Sequence, residues 1–416
     1  MQKRSAVSGN ALFLSPEAPY PIIGGGALRS ASLLEYLSQH YAVDAVLFAH
    51  SHSRAPAAAL PSGMIRRFSE IELPHHSRTA AARALRNGRR LLLNRPPLLD
   101  RFSGHEEQLR DFVAGQDYAV AVIEHFWCAP YLEAIAGSAQ RTILDLHNIE
   151  SVWHASLAQT SAPLSAFAHR RFSRAYQELE KHWLPRFDGI LVASEPDRQR
   201  ILPLNRHVVV YPNAIPAVFA CERVEDERIE DNVIAFSGNL EFEPNRAAVA
   251  FFAAQVWPIC RRRFPGLRWR IIGKNPQAVS HLVAGDPSIE LTGPVDNAVA
   301  CLARTRVAVV PILAGSGTRI KILEAWASGT PVVSTRIGAE GLDAEDGRHL
   351  LLADSPEDFA AAVNRLLEDG ELRARLGRAG QLLCQERYTW QAAWSQLHSA
   401  DLLMGERPPA KELNML

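Results

Sequence analysis

Residues 315–335 read Gly-Ser-Gly-Thr-Arg-Ile-Lys-Ile-Leu-Glu-Ala-Trp-Ala-Ser-Gly-Thr-Pro-Val-Val-Ser-Thr and place several chemically able groups within one short unit. Gly315, Ser316 and Gly317 before a helix leave backbone N–H groups unpaired, and the helix dipole adds partial positive charge at the same point. Thr318 is suited to cap that helix; Arg319, Lys321 and Glu324 ride on its first turns, and Gly329 and Pro331 stop it. Lys321 and Glu324 are three residues apart, so both project from one face, while Ile320, Leu323 and Ala327 take the other. The chemistry this permits is an anion cradle with a carboxylate beside it. The same pattern also suits a buried βαβ crossover in which Lys321 and Glu324 pair only with each other.

Two further clusters carry polar groups. Tyr20-Pro-Ile-Ile-Gly-Gly-Gly-Ala-Leu-Arg29 holds three consecutive glycines, Gly24, Gly25 and Gly26, which allow a phosphate to approach the backbone. They do not match the spaced Gly-x-Gly-x-x-Gly fingerprint, and the next strand ends in Phe48-Ala49-His50 without an acid for a ribose hydroxyl, which disfavours a dinucleotide oxidoreductase. Asp145-Leu-His147-Asn-Ile-Glu150 closes an apolar run, and Glu124-His125 closes the run before it. Carboxylates and imidazoles then gather at neighbouring strand ends, where functional loops concentrate. The structural alternative is that Asp145 and Asn148 cap the next helix. No two aspartates are separated by a single residue, so the simplest metal-holding Asp-x-Asp pair is missing and no metal is expected.

The elements that would position these groups alternate along the chain. Short apolar runs at 11–15, 43–48, 118–124, 142–146, 189–193 and 208–211 read as buried parallel strands between helices. A charged stretch, 221–232, follows, and the alternation restarts at 233–237, 269–272, 289–291, 307–311, 331–335 and 350–353. A helix is expected over 246–263 with Val249, Phe252, Val256 and Ile259 inward, and Ala27, Ala31, Leu34 and Leu37 give the stripe of the helix after the glycines. The chain therefore divides into an N-terminal α/β domain over 1–212, a linker over 213–231 and a C-terminal α/β domain over 232–387.

Composition narrows the class. The 45 basic and 45 acidic residues cancel, which gives no footprint for nucleic acid, and no apolar run reaches the length of a membrane span. The N-terminal apolar run is too short for a signal peptide, so a cytoplasmic protein is expected, free or peripheral on the inner membrane. Five widely spaced cysteines suggest neither a disulfide framework nor a zinc site. Against the neutral average, residues 74–99 carry Arg78, Arg83, Arg86, Arg89, Arg90 and Arg95 with no acid. A second basic helix bears Arg170, Arg171, Arg174 and Lys181 opposite Ala168, Phe172, Ala175 and Leu179. Either stretch suits an anionic membrane surface, or is an ordinary solvated face.

With these residues in place, the C-terminal half resembles the family-4 class of retaining glycosyltransferases. The resemblance rests on the 315–335 unit with Gly338-Ala-Glu-Gly-Leu342, on Phe236-Ser-Gly-Asn239 with Pro244-Asn245, and on Ile272-Gly-Lys274, Thr292-Gly-Pro294 and Tyr211-Pro-Asn213. It implies the GT-B fold, two Rossmann-like α/β/α domains facing across an interdomain cleft, with a final helix near 388–416 returning to the first domain. It further implies a nucleoside diphosphate sugar donor, a glycan, lipid-linked or other acceptor, no cofactor, and a setting in bacterial surface polysaccharide or glycoconjugate synthesis.

Residue by residue, the resemblance implies that Glu324 holds the ribose hydroxyls. Lys321, Arg319 and the N–H groups of Gly317 and Thr318 would hold the diphosphate, with Gly25 and Gly26 facing it. Gly273, Lys274, Pro294 and Val295 would frame the base. His147 would be catalytic with Lys321 and Glu324, and Glu124, His125, Asp145 and Glu150 would lie on the acceptor side. Two positions depart from the family: Ser316 stands where a sugar-contacting glutamate is usual, and Asn239 and Glu241 stand where an arginine and a lysine are common. The alternatives are a nucleotide-sugar epimerase of the same architecture and a non-catalytic nucleotide-sugar binding protein.

Overall fold

The computed structural model describes residues 9–22, 24–50, 60–74, 77, 79–221, 229–315 and 320–403. Two compact units result, one from residues 1–158, 162–211 and 394–416, the other from residues 159–161 and 212–393.

The first unit is built on a seven-stranded parallel sheet of order β3-β2-β1-β4-β5-β6-β7. Its strands are β1 Asn10–Ser15, β2 Ala42–His50, β3 Ile65–Leu73, β4 Val120–Glu124, β5 Thr142–Leu146, β6 Gly189–Val192 and β7 Val208–Val210. Every residue of β4 is buried, and so are five of six in β1, as expected of apolar runs covered by helices on both faces. β3 is an addition to the expected set: Ile65-Arg-Arg-Phe-Ser-Glu-Ile-Glu-Leu73 mixes charge with apolar residues because it is an edge strand with much of its length exposed. Arg66 and Arg67 of this strand reach Asp44 at 2.7 and 3.3 Å, so the charges that hide the strand in the sequence also tie it to β2.

The Gly25–His40 helix follows β1 and buries Ala27, Ala31, Leu34 and Leu37 as its spacing requires. It also buries Arg29, Ser30 and Ser32, which no apolar periodicity predicts. The Trp390–Ser399 helix brings Trp394 onto this helix, with its indole N–H donating to the Ser32 carbonyl at 3.1 Å. Beyond it, the Leu403 carbonyl accepts from the Tyr41 hydroxyl at 2.5 Å, and Arg141 donates to the Leu402 carbonyl at 2.8 Å.

The second unit carries a six-stranded parallel sheet, β10-β9-β8-β11-β12-β13. Here β8 is Val233–Ser237, β9 Arg268–Ile272, β10 Ile289–Gly293, β11 Val307–Val310, β12 Val332–Ser334 and β13 Leu351–Leu352. The chain enters this unit with Ile215 bridged to Thr389 and a short Ala217–Cys221 helix, so part of the 213–231 stretch is ordered; residues 222–228 lie outside the described set. The helix expected over 246–263 starts earlier, at Glu243, and changes to π geometry over Phe252–Val256 before continuing as Trp257–Arg263. Pro258 lacks an amide hydrogen, and the Trp257 N–H just before it reaches back to the Phe252 carbonyl, five residues away.

The Ile320–Ala327 helix is seated on the Gly370–Arg387 helix through two glycines. A Cβ on Gly377 would stand 2.2 Å from the Gly329 carbonyl oxygen, and one on Gly380 would stand 2.3 Å from Trp326 Cδ1. Only hydrogen fits at either place, and Trp326 is fully buried as a result.

Candidate functional site

In each parallel sheet the strand order reverses once, between β1 and β4 in the first unit and between β8 and β11 in the second. Segments leaving the carboxyl ends of strands on either side of such a reversal diverge to opposite faces and open a crevice, where ligands of doubly wound sheets bind. The residues singled out by their chemistry fall at these two places.

In the first unit, Glu124 ends β4 and Asp145 lies one residue before the end of β5, both with no exposure. His147, just past β5, points its Nε2 at them, 3.4 Å from Asp145 Oδ2 and 3.8 Å from Glu124 Oε1. Arg29 comes from the Gly25–His40 helix and grips Asp145 with Nε and Nη2, at 2.8 and 2.5 Å. Its Nη1 donates to the Tyr211 carbonyl at 2.5 Å, and its guanidinium lies 4.7 Å from the Tyr211 ring centre. The Ser30 hydroxyl donates to Glu124. Two carboxylates and two cations are therefore packed together out of water.

Burial alone would make the His147 imidazole less basic, but the facing Asp145 and Glu124 carboxylates outweigh it and hold its pKa at about 9. Burial would likewise raise Asp145, yet Arg29 and then His147 pull it well below the usual carboxylate range. At neutral pH His147 is an imidazolium with both ring nitrogens protonated. Its Nδ1 faces the glycine turn, 4.0 Å from where a Cβ of Gly26 would stand.

His125 stacks on His147 with ring centres 3.6 Å apart, and on Trp127 at 4.3 Å. It is kept neutral, since burial and then the charge of His147 push its pKa well down. Its backbone sits at φ 61°, ψ 141°, a conformation that costs a non-glycine residue about 1–3 kcal/mol. The amide hydrogen bond from His125 to the Asp145 carbonyl, 2.9 Å, holds it there. Glu150 is buried below this layer; burial first and neighbouring Glu180 next push it up to about 8, against Trp127 and His147, so it is mostly protonated at neutral pH.

Gly25 and Gly26 open their helix, with Gly24 at φ 98° before them. A Cβ on Gly26 would lie 3.0 Å from Glu17 Oε2, which places a carboxylate beside this turn, while nothing lies within 4 Å of where a Cβ of Gly24 would stand.

These three donors, Glu124, Asp145 and His147, lie within 4.8 Å of one another, close enough for a metal ion. The set does not suit one: Asp145 is already spent on Arg29 and Glu124 on Ser30, and a guanidinium in the cluster repels a second cation.

In the second unit Glu324 and Lys321 meet the end of β8. Ser237 donates to Glu324 Oε2 at 3.1 Å. The Lys321 amine donates to Asn245 Oδ1 at 2.9 Å and stands 5.4 Å from the Phe236 ring centre. Asn245 in turn donates to the Asn239 carbonyl at 2.8 Å, which turns its amide oxygen towards the lysine. Burial raises the Glu324 pKa, opposed by Ser237 and Lys321.

The expected base-side residues lie at the same edge. Gly273 accepts no side chain, because its Cβ would fall 1.8 Å from the Gly238 carbonyl oxygen at φ 149°. Its amide donates to the Gly293 carbonyl at 3.1 Å, aligning the ends of β9 and β10, with Lys274 and Val295 half-buried and Pro294 exposed beside them. Ser316, Gly317, Thr318 and Arg319 lie outside the described residues.

The sequence reading missed Arg29, Ser30, Tyr211, Ser237 and Asn245 as partners in these clusters. For Arg29 no local signal existed: it lies two residues from both Ala27 and Ala31, off the stripe they define, and its burial depends on Asp145.

Comparison with known proteins bears on the family and the fold. Residues 231–369 match the family described as Glycosyl transferases group 1. A phosphatidyl-myo-inositol mannosyltransferase of Mycolicibacterium smegmatis is 26% identical over 276 residues, covering 61% of this chain and 69% of that protein. A lipopolysaccharide core biosynthesis glycosyltransferase of Rhizobium meliloti is 44% identical over 61 residues, 14% of this chain and 18% of its own. Among solved structures, a sucrose-phosphate synthase from Thermosynechococcus elongatus superposes with a TM-score of 0.70 at 17% identity, over 94% of this chain and 97% of that one. HepE from Anabaena, in complex with UDP and glucose, superposes at 0.65 and 13% identity, over 94% and 98%. The second unit therefore carries the glycosyl transferases group 1 domain, and the whole chain has the GT-B fold of glycosyltransferases that use a nucleoside diphosphate sugar donor.

Proposed function

We propose that the enzyme transfers a sugar, with retention of anomeric configuration, from a nucleoside diphosphate sugar to a glycan or lipid-linked acceptor in bacterial surface polysaccharide or glycoconjugate synthesis. In this reading the reaction runs on the cytoplasmic side. The observation that carries the donor assignment is the meeting of Lys321 and Glu324, on one helix, with Ser237 and Asn245 at the reversal of the second sheet.

Glu324 accepts the two vicinal ribose hydroxyls, for which a carboxylate held by a serine is well prepared. Lys321, with Arg319 and the N–H groups of Gly317 and Thr318, takes the diphosphate; Gly273, Lys274, Pro294 and Val295 frame the base. Sugar transfer passes through an oxocarbenium-like state while the diphosphate leaves with growing negative charge. Fixed cations and N–H donors at that leaving group stabilise the transition state more than the ground state. In the first unit, His147 is the catalytic cation, with Gly25 and Gly26 beside it and Glu124, His125, Asp145 and Glu150 setting its charge and orientation.

Thermal-shift titration with UDP-, GDP-, ADP- and TDP-sugars identifies the donor, because a ligand of the native state raises the melting temperature. Glu324→Ala is expected to abolish the shift. An undiminished shift in that variant would sink the ribose assignment. Transfer is expected to persist in excess EDTA, and loss of activity restored by a divalent ion would overturn metal independence.

A further inference from the structure

The arginine-rich stretch of the first unit forms a surface with a composition of its own. Arg78 lies outside the described residues; Arg83, Arg86, Arg89 and Arg90 sit on the Ala80–Leu92 helix and Arg95 in the turn after it. Along the Ala80–Leu92 helix, Leu85 and Leu92 are seven residues apart and share a face, 78% and 82% exposed, and Leu93 is 55% exposed. On the Pro163–Trp183 helix, Leu164 and Phe167 are 81% and 57% exposed and share a face with Arg171. Arg171 Nε donates to the Leu91 carbonyl at 2.8 Å, which brings that face up to the end of the other helix beside Leu92 and Leu93. Single exposed leucines are ordinary, whereas a cluster of large apolar side chains at the junction of two helices marks a surface that something covers.

Charge identifies the cover. Residues 79–102 and 162–177 contain nine arginines and a single acid, Asp100. Asp100 is already engaged, by Arg90 at 2.9 Å and by Arg95 at 3.8 Å. The two stretches therefore surround the leucines with a strong positive excess in a chain of zero net charge. An arginine beside an exposed leucine suits an interface where hydrocarbon lies next to phosphate: the apolar side chain enters the acyl boundary and the guanidinium stays among headgroups. Among the described residues no helix is long and apolar enough to cross a membrane.

The geometry points to reversible docking of this surface on an anionic phospholipid bilayer, with Leu85, Leu92, Leu93, Leu164 and Phe167 inserted and Arg89 and Arg170 among the headgroups. The docking does not depend on the donor assignment; that the acceptor is drawn from a lipid-borne pool at that bilayer does.

The test is flotation of the full chain with vesicles rich in phosphatidylglycerol and with pure phosphatidylcholine vesicles. Binding is expected to the first and not the second, and to fall with added salt. Arg89→Glu with Arg170→Glu should weaken it by roughly fivefold for each arginine lost. Leu92→Asp with Phe167→Asp should weaken it at least as much without changing the donor-induced thermal shift, which separates a failed surface from a misfolded protein and from a failed donor reading. Equal flotation with both vesicle types, or flotation unaffected by both double variants, overturns the proposal. So does a wild type that stays with neither vesicle but sediments as a dimer dissociated by Leu92→Asp, since the cover is then a second copy.

Discussion

Replacing His147 by glutamine tests the buried charge cluster as a quantity. The folded protein holds the imidazole at about 9, against about 6.5 in an unfolded chain. A tenfold gain in proton affinity is worth about 1.36 kcal/mol, so protonated His147 stabilises the fold by about 3 kcal/mol. The pKa is raised on folding, so this contribution is complete below about pH 6.5 and is lost as pH rises through about 9. The variant should be less stable than wild type by an amount that shrinks by about 3 kcal/mol across that window.

Glu150 complicates the wild-type curve alone, because its own raised pKa lowers stability as the unfolded carboxyl ionises above its ordinary value and until the folded group does so near 8. Taking the difference between wild type and His147→Gln largely removes that background. Asp145, held well below the usual range, changes charge only in strong acid and leaves this window clear. Pulse-labelled amide exchange of β4 and β5 along a urea series at each pH reports opening of this unit alone. A stability gap that stays constant from acid to alkaline pH would refute the account, since His147 would then not be a cation held by Asp145 and Glu124.

Three other outcomes follow from the same geometry. Asp145→Asn leaves the Arg29 guanidinium buried without its counter-charge and should cost about 3–5 kcal/mol, read as the shift of the urea midpoint. Glu150→Gln should stabilise the protein by a few kcal/mol near pH 8, because the folded site already prefers a neutral group, and a lowered melting temperature there would contradict it. Lys321→Ala should lose roughly two or more orders of magnitude in turnover at saturating donor; near-normal turnover would remove it from the transition state.

Several strands were legible because buried parallel strands are runs of apolar residues, and 142–146 and 233–237 emerge at their expected bounds. β3 was not, because an edge strand stabilised through Arg66 and Arg67 carries no uninterrupted apolar run. The π segment at Phe252–Val256 escaped for a different reason: apolar periodicity reports which face is buried, not which carbonyl each amide selects. Of the candidate site, His147, Asp145 and Glu124 could be placed at strand ends from the sequence. Their joint charge state could not, because it depends on Arg29 arriving from a helix more than a hundred residues away. The strained backbone of His125 was equally hidden, since nothing local to Glu124-His125-Phe126 asks for a positive φ.

The glycine seat under Trp326 bears on how the proposed donor grip of Lys321 and Glu324 can vary. Lys321 and Glu324 ride on a helix whose depth is fixed by contact of Gly377 with the Gly329 carbonyl and of Gly380 with the indole. Adding one methyl at Gly380 must lift or tilt that helix, and a shift of about 1 Å in a positioning group can cost a hundredfold in rate. Selection for altered nucleotide affinity should therefore yield substitutions in the Gly370–Arg387 helix as well as among ligand-contacting side chains.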